Sequence, residues 1–135
     1  MSGQPTAVKN RFLEILGEVG GSNALAAMRA AAVGNDAELR DTSSRLLGSW
    51  FDVEAGPVLL ELAKMPNNQF NVRALRGYIR LARQFTMPEP QRAEMCRSAM
   101  QATNRAAEQK LVLEVMERYP SPEMLKVAQE VKPVA

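Results

Sequence analysis

Histidine is absent from this chain of 135 residues, and cysteine occurs once. The first absence removes the commonest general base and metal ligand. The second rules out an internal disulfide, so Cys96 fits a reducing or an oxidising compartment equally. Aromatic residues make up only 5%, and Val, Ile and Thr together number 17, too few for a β-sandwich or barrel. No run approaches the roughly 18 consecutive apolar residues that a membrane span needs, so no membrane insertion is expected. The opening MSGQPTAVKN has no apolar core of a signal peptide, and Met1 to Pro5 reads as a trimmed boundary. It names no compartment. A Gly-rich phosphate loop, zinc-ligand spacing and a nucleophile elbow are all missing.

What is present is helix-forming material. Ala, Leu, Met, Glu, Gln, Lys and Arg account for 77 residues, and these are the strong helix formers. Seventeen basic and fifteen acidic side chains leave +2, too even a balance to mark a nucleic-acid footprint by itself. Apolar periodicity predicts eight helices at about 7–18, 22–33, 36–50, 54–64, 69–85, 89–102, 104–118 and 122–131. Short breaks separate them. Gly20-Gly21-Ser22 ends the first helix and caps the second. Asp36 is placed to cap the third, Asp52 stands before the fourth, and Pro66-Asn67-Asn68 stops it. Ser121 and Pro122 supply a cap and a first helical residue for the eighth. Breaks this short fold neighbouring helices back on one another.

The helices repeat in pairs. Displacing the chain by 31 residues lays EILGEVGGSNALAAM over RLLGSWFDVEAGPVL, with Leu16 on Leu47, Gly17 on Gly48 and Val19 on Trp50. A further 38 lays EVMERYPSPEML on the same frame, with Met116 on Leu47 and Tyr119 on Trp50. Val72-Arg73 matches Leu39-Arg40 at an offset of 33. The chain therefore reads as one domain, 1–135, of four units near 6–34, 35–66, 67–103 and 104–133. Repetition at this period is the mark of stacked helix pairs that complete a core only together. Leu16, Leu47, Trp50, Leu59, Leu62, Leu75, Ile79, Leu113 and Met116 are the expected core.

The second unit runs Asp36, Leu39, Arg40, Ser43, Ser44, Leu46, Leu47, Gly48, then Ala55, Pro57, Leu59 and Leu62. This pattern resembles the HEAT-repeat signature. The first unit departs from it with Phe12 for Ser43 and Lys9 for Arg40, and the fourth lacks the Asp and Arg. Stretches such as LRDTSSRLLGSW and ALRGYIRLA are similar to HEAT domains appended to larger bacterial proteins. The resemblance implies an all-α, right-handed α-α superhelix of the HEAT/armadillo kind that acts as a non-catalytic scaffold. Its partner would be a protein or a neighbouring domain, with no cofactor or metal, and the chain is expected to be monomeric. Tetratricopeptide repeats are the competing pattern, but their Gly and Pro placements do not recur here. HEAT-like enzymes that excise alkylated bases or join bilins define an alternative.

Two groups of residues carry candidate binding chemistry. Arg73, Arg76, Arg80 and Arg83 fall within about 80° of one another around the fifth helix, with no acid at i+3 or i+4 to neutralise them. Such a stripe can hold phosphate, carboxylate or an acidic partner; the alternative is that Arg73 pairs internally with Asp36, Asp41 or Asp/Asn groups of neighbouring units while the other three are solvated. The HEAT resemblance implies that the second helix of each pair lines the inner surface, and there Glu54, Glu61, Arg92 and Arg97 are the candidate contacts. The basic Arg29, Lys64, Arg92, Arg97 and Lys126 nearly balance the acidic Glu54, Glu61, Glu89, Glu94, Glu123 and Glu130 on those helices. A nucleic-acid groove needs a lopsided sum, so nucleic-acid or polyanion binding through the arginine stripe is the second alternative. Trp50, Tyr119 and the methionines at 95, 100, 116 and 124 read as packing residues. Cys96 lacks a histidine to activate it as a nucleophile.

Overall fold

The two glycines after the first helix show how the sequence sets the turns. Gly20 and Gly21 both adopt positive φ, 74° and 90°, which a side chain would strain. In this computed structural model, which describes residues 6–50, 52–66, 68–103 and 105–131, they close α1 (Thr6–Val19) and open α2 (Ser22–Ala32). Gly21 of the expected Gly20-Gly21-Ser22 break stands at the N-cap of α2, with no side-chain cap, and Ser22 is the first helical residue. The helices that follow are α3 (Ala37–Gly48), α4 (Gly56–Lys64), α5 (Asn71–Gln84), α6 (Glu89–Ala102), α7 (Ala106–Arg118) and α8 (Pro122–Glu130). The protein is all-α, with no strand among the described residues. The expected roles of Met1 to Pro5 and Asn67 lie outside those residues.

Local chemistry explains most boundaries. Asp36 accepts from the backbone N–H of Glu38 and Leu39, 3.0 and 3.2 Å, capping α3. Ser121 accepts from Met124 N–H at 3.0 Å, with Pro122 beginning α8. Asp52 caps a single 3-10 turn, Val53–Ala55, that leads into α4. Asn68 donates to Leu62 O at 3.0 Å and closes the end of α4. The third helix stops at Gly48 rather than residue 50, and Trp50 enters the core from the following turn.

The odd-numbered helices touch in succession, α1 on α3, α3 on α5, α5 on α7, while α4 touches α6 and α6 touches α8. A helix caught between neighbours needs small residues, and Thr42, Ser43 and Ser44 of α3 are all buried. The Ser43 and Ser44 hydroxyls return to Arg40 O and Asp41 O of their own helix, so their burial leaves no orphan donor. The helices α3 and α5 approach closely at Gly48 and Gly77. A Cβ on Gly77 would sit 2.8 Å from Gly48 Cα, so backbone meets backbone there.

Seven of the nine expected core residues are buried: Leu47, Trp50, Leu59, Leu62, Leu75, Ile79 and Met116. Leu16 and Leu113 are only half-buried and rest against the core. The fully buried residues beside them are Leu13, three positions before Leu16 on α1, and Val112 and Val115, which flank Leu113 on α7. Met95, Met100, Met116 and Met124 are all buried.

Candidate functional site

Side-chain bonds tie equivalent positions of successive units. Arg29 of α2 grips Glu61 of α4 with two hydrogen bonds of 2.7 and 2.6 Å, 32 residues apart. Arg73 of α5 reaches Asp41 of α3 at 2.6 Å, also 32 apart. Arg76 of α5 meets Glu108 of α7 at 2.8 Å, and Arg97 of α6 meets Glu130 of α8 at 2.8 Å. Each of these four helix contacts thus carries an arginine–carboxylate pair.

The four arginines of α5 divide by their environment. Arg73 also donates to Asp41 O and to Ser44 Oγ, both 3.1 Å. Arg80 is half-buried and donates to Gly48 O at 2.8 Å and Trp50 O at 2.5 Å, closing the carbonyls exposed at the end of α3. Burial, helped by the like charge of Arg83, pushes the Arg80 pKa below its ordinary value. Arg76 is half exposed, but its partner Glu108 is fully covered. Burial opposes ionisation of Glu108; hydrogen bonds from Arg76 and Arg105, and their charges, outweigh that and hold it below the usual carboxylate range. Arg83 is exposed, and no acid pairs with it among the described residues.

These side chains border a groove of about 650 Å³ across α3, α5 and α7. Its wall holds five arginines, Arg45, Arg73, Arg76, Arg80 and Arg83, and no acidic residue. Gly48, Gly77, Val72, Ile79 and Leu111 supply an apolar lining between them. The close approach of Gly48 and Gly77 is what lets the arginines of α3 and α5 share one groove. Arg45 is exposed and, like Arg83, has no acid partner among the described residues. Sequence reading passed over Arg45. The signal was available, because Arg45 precedes Arg76 by 31 residues, one repeat period.

Glu54, Glu61, Arg92 and Arg97 lie away from this groove. Glu54 is exposed in the 3-10 turn. Glu61 is engaged by Arg29, whose hydrogen bond holds it below the ordinary carboxylate range. Arg97 binds both Glu130 and Glu94. Arg92 points inward: it is 4% exposed and donates to Ala82 O at 2.9 Å and Phe85 O at 2.7 Å, sealing the end of α5. The Tyr119 ring stacks over its guanidinium at 3.8 Å, and the Tyr119 hydroxyl donates to Arg83 O at 2.7 Å. Arg92 is therefore a strut between units, without the free surface that a contact residue needs.

Cys96 is buried, and burial pushes its thiol up to about 11. At neutral pH it is a small apolar filler. Among the described residues no cluster of His, Cys, Asp and Glu has the arrangement to hold a metal ion. No described helix is long and apolar enough to cross a membrane. Comparison with protein-family models, with curated proteins and with solved structures finds no match for this chain.

Proposed function

We propose that this chain is a non-catalytic binding module, built as a right-handed HEAT-like superhelix, that captures an acidic segment of a partner protein or neighbouring domain in the groove across α3, α5 and α7. The observation that carries the reading is the single-sign wall of that groove, five arginines with no acid among its lining residues. Arg45 and Arg83 stand ready for new partners, since neither is engaged by an acid among the described residues. Burial first, and the like charge of Arg83 second, depress the Arg80 pKa, and an incoming carboxylate between the two arginines offsets the second of these. The superhelical reading is supported by the succession of odd-helix contacts and by ion pairs that recur 32 or 33 residues apart.

Sequence reading put the principal contact on the second helix of each pair and the arginine stripe second. The geometry supports the reverse order, because the charges of α2, α4, α6 and α8 largely satisfy one another. The apolar lining from Val72, Ile79 and Leu111 favours a peptide over a nucleic acid, whose backbone offers phosphates but little apolar surface to such a groove. Fluorescence anisotropy with a labelled peptide of alternating Glu and Leu, its Gln/Leu counterpart and a DNA duplex tests this. The acidic peptide should bind and the Gln form should lose at least tenfold. The double variant R45E/R83E should lose a similar factor with an unchanged melting temperature. Equal binding of both peptides, or a duplex that binds tighter with a steep salt dependence, would overturn the reading.

A further inference from the structure

The five arginines of the groove do not offer an incoming anion the same thing. A guanidinium carries five N–H donors, and a carboxylate binds best across two of them that lie parallel on one edge. Arg80 has all three nitrogens in use, on Gly48 O, Trp50 O and the side chain of Gln84. Arg73 sets its Nη1 on Asp41 and Ser44 and lies over the Phe70 ring at 4.8 Å, and Asp41 cancels its charge one for one. Arg45 and Arg83 are exposed. Among the described residues their carbonyls accept hydrogen bonds, but no acceptor holds either guanidinium. Each must give up rotamer freedom to hold a ligand.

Arg76 differs. Glu108 Oε2 accepts its Nε–H at 3.1 Å and one N–H of its Nη2 at 2.8 Å, so one edge of the guanidinium rests on a fully buried carboxylate. The other edge, Nη1 with the second N–H of Nη2, makes no hydrogen bond among the described residues. Arg76 is half exposed and lines the groove, while Glu108 lies behind it. Arg105, at the N-cap of α7 and outside the groove wall, donates its Nε–H to Glu108 Oε1. Two guanidiniums thus share one carboxylate, and the trio keeps one positive charge uncompensated. Arg76 combines a buried partner that orients it, a free edge and surplus charge, a combination that the other four groove arginines lack among the described residues.

Resting on the proposed function, we infer that this free edge of Arg76 is the anchor of the groove: it takes one side-chain carboxylate of the acidic segment in a two-bond fork, and Glu108 is the positioning residue that holds the edge in place. Arg45 and Arg83 add attraction at the rim without fixing geometry. A lysine in place of Arg76 would keep the charge and lose the fork. Attraction and positioning predict opposite signs for the loss of the Glu108 charge. By attraction alone a more positive groove binds an acidic ligand tighter. By positioning, Arg76 is released and binding weakens.

Fluorescence anisotropy with the labelled Glu/Leu peptide separates the two, using R76K, R83K, E108Q and the double variant R76K/E108Q, each checked for folding by circular dichroism. R76K should lose at least about tenfold in affinity and R83K less than about threefold, although both keep the net charge. E108Q should bind about fivefold more weakly despite its extra positive charge, and should cost nothing further in the R76K background, because Glu108 acts through Arg76. R76K leaves Glu108 a cationic partner, so the comparison of R76K with R83K decides even where E108Q unfolds. Equal losses in R76K and R83K, or tighter binding by E108Q, would overturn this inference and leave the proposed function standing. A wild type that binds the Glu/Leu peptide no better than its Gln/Leu counterpart would overturn the proposed function, and this inference with it.

Discussion

Replacing Gly77 by alanine tests whether the groove depends on the backbone approach of α3 and α5. The new methyl would lie 2.8 Å from Gly48 Cα and 3.3 Å from Leu59 Cδ2. Carbon atoms rest best at about 3.5–4.0 Å, so α5 must retreat by roughly 0.7 Å or more. Leu59 can turn aside, but the Gly48 backbone cannot, which places the cost in the upper part of the usual overpacking range of about 1–3 kcal/mol. Alanine in a helix interior returns about 0.8–1.0 kcal/mol over glycine. The net expectation is a loss of about 1–2 kcal/mol. At this length each kcal/mol moves the midpoint by about 3–4 °C, so Tm should fall by about 3–8 °C. The control is Gly48→Ala, the facing glycine, whose added methyl does not enter the contact. An added Cβ there meets nothing within 4 Å, so Tm should hold or rise slightly. Because the retreat of α5 also separates Arg45 from Arg80, Gly77→Ala should weaken acidic-peptide binding. Differential scanning calorimetry of the two variants decides it. If Gly77→Ala raises Tm as Gly48→Ala does, the close approach and the groove geometry drawn from it are wrong.

Glu108→Gln should lower stability by about 1–3 kcal/mol at pH 7, since the buried partner of Arg76 and Arg105 loses its charge. The folded-state pKa of Glu108 is depressed, so its contribution is full above the unfolded value near 4.3 and is lost as pH falls through the folded one. The variant should therefore show a flatter acid limb in urea unfolding measured from pH 7 to pH 3, and an unchanged limb would contradict the ion-pair assignment. Leu47→Ala, at a fully buried position, should cost about 2–5 kcal/mol in the same assay. Leu113→Ala, half-buried at the end of the stack, should cost clearly less, and equal losses would refute the observed burial.

The helix order was legible in the sequence because each boundary carried its own chemistry, as at Asp36 and Ser121. Boundaries set by tertiary packing were not. Trp50 continues the apolar period of α3, yet it lies beyond the helix end at Gly48, where Arg80 takes the freed carbonyls from a helix one unit away. The repeat register also located Leu47, Leu59 and Ile79 correctly, since these are buried between two neighbouring units. It failed at Leu16 and Leu113, which belong to end units and have a neighbour on one side only, so the face that is core elsewhere is half open there. Of the candidate site, the stripe on α5 was readable from helical spacing. The Asp41 partner of Arg73 was among those the sequence offered, but the partners of Arg76 and Arg80 were not, because Glu108 and the Gly48 carbonyl lie 32 residues away across helix contacts that periodicity does not reveal. Arg92 misled for a related reason. Its charge suggested surface, while the carbonyls of Ala82 and Phe85 and the ring of Tyr119 hold it inside.

Under the proposed function, the arginine groove is a binding surface for acidic peptide. Backbone amide NMR shifts of the chain, followed while the Glu/Leu peptide is titrated in, test it most directly. The account predicts saturable changes at Arg45, Ser49, Arg76, Gly77 and Arg83, the residues around the groove, with little change on α2 and α8. Changes concentrated on the second helices, or a linear drift over all charged surfaces without saturation, would contradict it.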